Sequence, residues 1–137
     1  MEDLDRRLVL GLGLAASTLA LPTAAAAQTY GPTEGKEVGP GVRVVELGKR
    51  ESMLPAYKML ILRDVVLQPG AKTPERDMPN DMLCHMTEGE LSATQNGKTF
   101  TVKKGDVWAC AKGINTEGTQ NMGNAVAIMR IIDLMTA

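Results

Sequence analysis

The chain has 137 residues, 44% hydrophobic and only 3% aromatic, and its 15 basic residues against 16 acidic ones leave a formal charge of -1. A balanced charge without a clustered basic excess excludes a nucleic-acid surface or a polybasic membrane patch as the organising feature. The length allows one ordinary domain with a core of its own.

The first 27 residues differ from the rest. Arg6-Arg7 precede an apolar run from Leu8 to Leu21, and Pro22-Thr23-Ala24-Ala25-Ala26-Ala27 follows. A charged start, an apolar stretch of about 14 residues and a small-residue Ala-x-Ala ending describe a secretory signal peptide. The run falls short of the roughly 20 apolar residues that a membrane span needs. Asp5-Arg6-Arg7-Leu8-Val9-Leu10 resembles the twin-arginine export pattern, with Asp5 where Ser or Thr is usual and Val9 where Phe is. Cleavage after Ala27 would leave 110 residues with thirteen basic and thirteen acidic groups, periplasmic or secreted and without membrane attachment.

Residues 28–41 are polar and rich in Gly and Pro, the composition of a flexible arm. A single domain over 42–137 follows. Its predicted strands are Val42–Leu47, Tyr57–Leu67 closed by Gln68-Pro69-Gly70, Leu83–Thr87, Gly89–Gln95, Lys98–Val102, Val107–Cys110 and Ala125–Ile132. Asn96-Gly97 between two alternating runs predicts a hairpin with a type I′ turn, because both residues tolerate positive φ. No amphipathic helix of ten residues stands out after Ala27. Many short strands with Gly, Pro and Asn punctuation predict an all-β antiparallel sandwich or barrel.

From Gly70 onward the spacing becomes specific. The family it resembles has a first motif of Gly, five residues, His-x-His, three or four residues, Glu, six residues, Gly. Its second motif is Gly, five residues, Pro-x-Gly, two residues, His, three residues, Asn. Gly70 and Gly89 frame the first motif here, with Glu88-Gly89-Glu90 at its closing turn, and Gly105-Asp106 and Gly113 frame the second. Over Val42 to Ile132 the chain thus resembles a small single-domain cupin, an antiparallel jelly-roll barrel of the RmlC-like kind. Such domains often pair through exposed strand edges, so the resemblance implies a possible homodimer.

The resemblance fails where a cupin carries its metal. The two histidines fall on Arg76 and Met78, the glutamate on Met82, the second-motif histidine on Thr116 and its asparagine on Gln120. A first-row dication wants imidazole or carboxylate, and Arg76 offers a fixed positive charge instead. No metal and no other cofactor is expected at the usual position. The resemblance, with period-two alternation, implies that Arg76, Met78, Met82, Cys84 and Met86 face the barrel interior. Trp108 and Thr116 stand on the facing motif.

This inward set is open to three uses. Met and Cys fill irregular apolar space. They also form a soft wall for a small-molecule ligand anchored by Arg76, or supply donors to monovalent copper. His85, the single histidine, faces outward by alternation; a β-bulge at Asn80-Asp81 would swap faces and make Asp81 and His85 an acid–base pair for an isomerase or lyase. Cys84 and Cys110, the two cysteines, are candidates for a disulfide or for buried thiols. The expected function is small-molecule binding in the barrel, with copper binding and isomerase or lyase activity as alternatives; whether any reaction is catalysed stays open.

Overall fold

A computed structural model describes residues 29–136, so the predicted leader at 1–27 lies outside the described residues. Nine strands and no helix make up the described chain. They are β1 (Lys36–Gly39), β2 (Val42–Glu51), β3 (Met59–Leu67), β4 (Asp81–Glu88), β5 (Glu90–Gln95), β6 (Lys98–Lys103), β7 (Val107–Cys110), β8 (Gly118–Gln120) and β9 (Ala127–Met135). A six-stranded sheet runs β1-β2-β3-β9-β4-β7 and a three-stranded sheet runs β6-β5-β8, all neighbours antiparallel.

The turn chemistry is as the residues dictate. Asn96 and Gly97 both take positive φ, 50° and 76°, and close the β5–β6 hairpin with Gln95 opposite Lys98. Along β4 burial alternates residue by residue: Met82, Cys84 and Met86 are buried while Leu83 and His85 are exposed. These join Val42, Val65, Leu67, Leu91, Val102, Cys110, Met129 and Ile131 in one core between the sheets.

Two elements depart from expectation. The stretch 28–41 is more than an arm, because Lys36–Gly39 pairs with β2 as the sheet's edge strand. It is also pinned upstream of that strand: the Tyr30 hydroxyl donates to Asp64 at 2.6 Å, and the Thr29 hydroxyl bonds Glu88. Gly118–Gln120 forms β8 although three residues are too few to show alternation. The segment 71–78 runs beside β8 and its approach, through bridges Lys72–Gln120 and Arg76–Glu117. That pairing lays the first motif directly against the second.

Candidate binding cavity between the sheets

Where the two motif segments meet, a cavity of about 250 Å³ opens between the sheets. Its wall is largely apolar: Val42, Val44, Val65, Met82, Cys84, Met129 and Ile131 come from the six-stranded sheet and Met78 from the segment 71–78. The polar part comes from Arg63, Thr73, Arg76, Glu117 and Thr119.

Arg76, Met78, Met82 and Cys84 therefore do meet at one cavity. Alternation along β4 delivers Met82 and Cys84, and the ladder between 71–78 and 113–121 delivers the other two. Met78 donates its N–H to Ile114 at 3.0 Å and accepts from Gly113 at 2.9 Å. Arg76 is exposed at the mouth. Its guanidinium makes no ion pair among the described residues, whereas Arg63 is committed to Asp133 by two bonds of 2.7 and 3.2 Å. Asn80 adds a third bond to that carboxylate, at 3.2 Å.

Three expected members stand elsewhere. Met86 is fully buried in the core, outside the cavity lining. Trp108 packs half-buried against the core, its indole N–H without a partner among the described residues, and it too lies outside the lining. Thr116 is exposed. Its left-handed backbone, φ 51°, displaces the alternation by one residue, so Glu117 becomes the inward partner of Arg76. Counting residues from Gly105 could not detect that step.

Glu117 is thus the residue that spacing missed. Only 8% exposed, it lines the cavity, and its Oε2 has no hydrogen-bond partner among the described residues. Burial pushes its carboxyl above the ordinary range, and hydrogen bonding to the neighbouring Cys110 and Gln95 offsets part of that shift.

Cys84 and Cys110 are free and buried, diagonal neighbours two residues out of register on paired strands, with Met82 opposite Cys110 and Cys84 opposite Trp108. The Cys110 thiol and burial together push the Cys84 thiol far up, so it is protonated and not nucleophilic at neutral pH. Gln95 donates to the Cys110 sulfur at 3.0 Å and to the Ala109 carbonyl at 3.1 Å.

The structure does not assemble Asp81 and His85 into a pair. They lie four residues apart on one uninterrupted stretch of β4, roughly 13 Å along the strand, and no bulge intervenes at Asn80-Asp81. Asp81 accepts from the Tyr57 hydroxyl at 2.6 Å and from the Lys112 N–H at 2.8 Å. The Tyr57 bond first, and the Lys112 bond second, lower its carboxyl below the ordinary range, the wrong direction for a base.

The sequence profile of the EutQ-like cupin domain matches residues 67–126, the span holding both motif segments. The fold is that of a cupin. The cupin domain of Cnp3 from Schizosaccharomyces pombe superposes with a TM-score of 0.59 at 22% identity, over 69% of this chain and 64% of that one. This chain therefore spans less than two thirds of that relative's length. KdgF from Halomonas sp. gives a TM-score of 0.57 at 15% identity, over 72% and 84% of the two chains. An RmlC-like cupin from Shewanella frigidimarina gives 0.60 at 16% identity, over 79% and 88%. At these identities the likeness extends to the fold alone. No curated protein matches the chain by sequence.

The donor set does not fit the metal that such barrels commonly hold. The lining of this cavity offers two guanidiniums, three thioethers, one thiol and a single carboxyl, and no trio of His, Cys, Asp or Glu among the described residues is arranged to grip a cation.

Proposed function

We propose that this cupin binds a small organic anion inside its barrel, with Arg76 as the anchor. The observation that carries the proposal is an arginine without an ion-pair partner among the described residues, at the mouth of a largely apolar cavity. A guanidinium grips a carboxylate through two parallel hydrogen bonds and stays charged at any working pH. The apolar wall then excludes water from that contact and strengthens it. A volume of about 250 Å³ is the size of roughly eight water molecules, which suits a ligand of few carbon atoms. Export of the chain by residues 1–27 would set this binding in the periplasm or outside the cell.

Calorimetric titration with propionate and with propionamide tests the proposal. Propionate should bind at least tenfold more tightly than its neutral amide, and Arg76→Gln should remove that margin. Equal affinities, or an unaffected Arg76→Gln, would refute the anchor.

Soft-metal binding has one observation in its favour: Met82, Cys84 and Cys110 bring a thioether and two thiols onto neighbouring positions of β4 and β7. Against it, the protonated Cys84 thiol must lose its proton before it can ligate. Met82→Leu removes one thioether at nearly constant volume, at a cost below about 1.5 kcal/mol. It is expected to leave monovalent-copper affinity unchanged; a tenfold fall with the fold intact would favour the metal.

A further inference from the structure

Glu117 gives the cavity a second polar anchor. It exchanges both backbone hydrogen bonds with Arg76, at 2.9 and 3.1 Å, so the two residues stand directly opposite on paired segments. In such a pair the Cα atoms are about 5.5 Å apart and the side chains share one face. Both contribute to the same cavity wall. A buried carboxyl oxygen with no partner is costly to maintain, and a ligand atom is what would satisfy it.

We infer that the cavity takes a small 2-oxo carboxylate, with Arg76 receiving its carboxylate and the Glu117 carboxyl donating a hydrogen bond to its oxo oxygen. This rests on the anion-binding proposal above and adds the second oxygen. Two acceptor oxygens on adjacent carbons match two donors on opposite residues. A plain alkyl carboxylate of the same size fills the space but leaves Glu117 unpaired.

The donor requires a protonated carboxyl, which burial favours against the opposing pull of the Arg76 charge and of the hydrogen bonds from Cys110 and Gln95. Arg76 faces it across the ladder, Cys110 comes from β7 and Cys84 from β4, and Gln95 from β5 is neutral. Arg63 of β3 is neutralised by Asp133 of β9, and the Glu75 side chain lies against Gly118 beside it. The raised Glu117 carboxyl keeps its proton to higher pH than an exposed one, through burial above all. Once it ionises, it repels the ligand and accepts where it should donate. Affinity for the oxo acid is therefore highest below the Glu117 pKa and falls as pH rises through it, approaching tenfold per pH unit.

The test is titration of the purified protein with pyruvate and with isobutyrate, a 2-methyl acid of similar size, across pH 4–8, each affinity being expressed per ionised ligand because isobutyric acid itself takes up a proton at the acid end. The wild type should prefer pyruvate by about tenfold at the acid end and lose that preference as pH rises. Glu117→Gln, whose amide donates at every pH, should keep the preference and flatten the profile. Glu117→Leu should bind both acids equally while retaining isobutyrate. If the wild type binds both acids alike at every pH, the Glu117 assignment is wrong and the Arg76 anchor stands. If neither acid binds, both fail.

Discussion

Arg130→Ala is expected to destabilise the fold by about 3–5 kcal/mol, the cost of leaving a buried charge without its partner. Arg130 grips Asp64 through two bonds, 2.8 and 2.9 Å, on the outward face of the six-stranded sheet. The Asp64 side chain is 1% exposed and that of Arg130 41% exposed, so the two are not equivalent. Without Arg130 the carboxylate keeps the Tyr30 hydroxyl but cannot reach water. Without Asp64 the guanidinium simply turns to solvent. Asp64→Ala should therefore cost less than Arg130→Ala, and urea unfolding of both variants checks the order; a loss below about 1 kcal/mol for Arg130→Ala would show that the carboxylate is not held as described. Tyr30 reports on the same cluster. Burial, then its bond to Asp64, push its phenol up from 10.0 to about 12. The sign follows: the protonated phenol supports the fold fully below pH 10, and that support is lost as pH rises toward 12.

Gly89→Ala should cost about 3 kcal/mol or more, because two penalties coincide there. Gly89 links β4 of the large sheet to β5 of the small one with φ +70°, where an L-residue pays about 1 kcal/mol. An added Cβ would also stand 2.8 Å from the Val126 carbonyl oxygen and 3.0 Å from the Ala127 Cα, backbone atoms that cannot rotate away. Gly97 provides the contrast, with φ +76° and nothing within 4 Å of the same added atom. Gly97→Ala should therefore cost only about 1 kcal/mol. Comparable midpoints for the two variants in denaturant would mean that the sheets do not join tightly at Gly89.

These glycines also show what was legible beforehand. Asn96-Gly97 and Gly89 announce their turns because the need for positive φ is a local property. Met82, Cys84 and Met86 announce the inner face because alternation in a strand is local too. Arg76 and Met78 reached the cavity only through the likeness to a cupin, since no periodicity links them to β4 across the loop between. Glu117 was invisible. The left-handed Thr116 shifts the inward position by one residue, and β8 is too short to reveal its own phase. The Asp64–Arg130 pair escaped for another reason, since its partners lie 66 residues apart and meet only through sheet order. β1 was hidden by composition: Lys36–Gly39 has no alternating apolar residues and is held by pairing with β2.

The chain's methionines allow the most direct test of where a ligand goes. Methyl-labelled methionine spectra, recorded while propionate is added, resolve the cavity from the surface. Met78, Met82 and Met129 line the cavity, while Met53 and Met122 are exposed at 99% and 69%. The expected result is saturable shifts of the Met78, Met82 and Met129 methyls, with Met53 and Met122 unmoved and the response abolished by Arg76→Gln. Shifts confined to Met53 or Met122, or a cavity response that survives Arg76→Gln, would contradict a ligand held inside the barrel by Arg76.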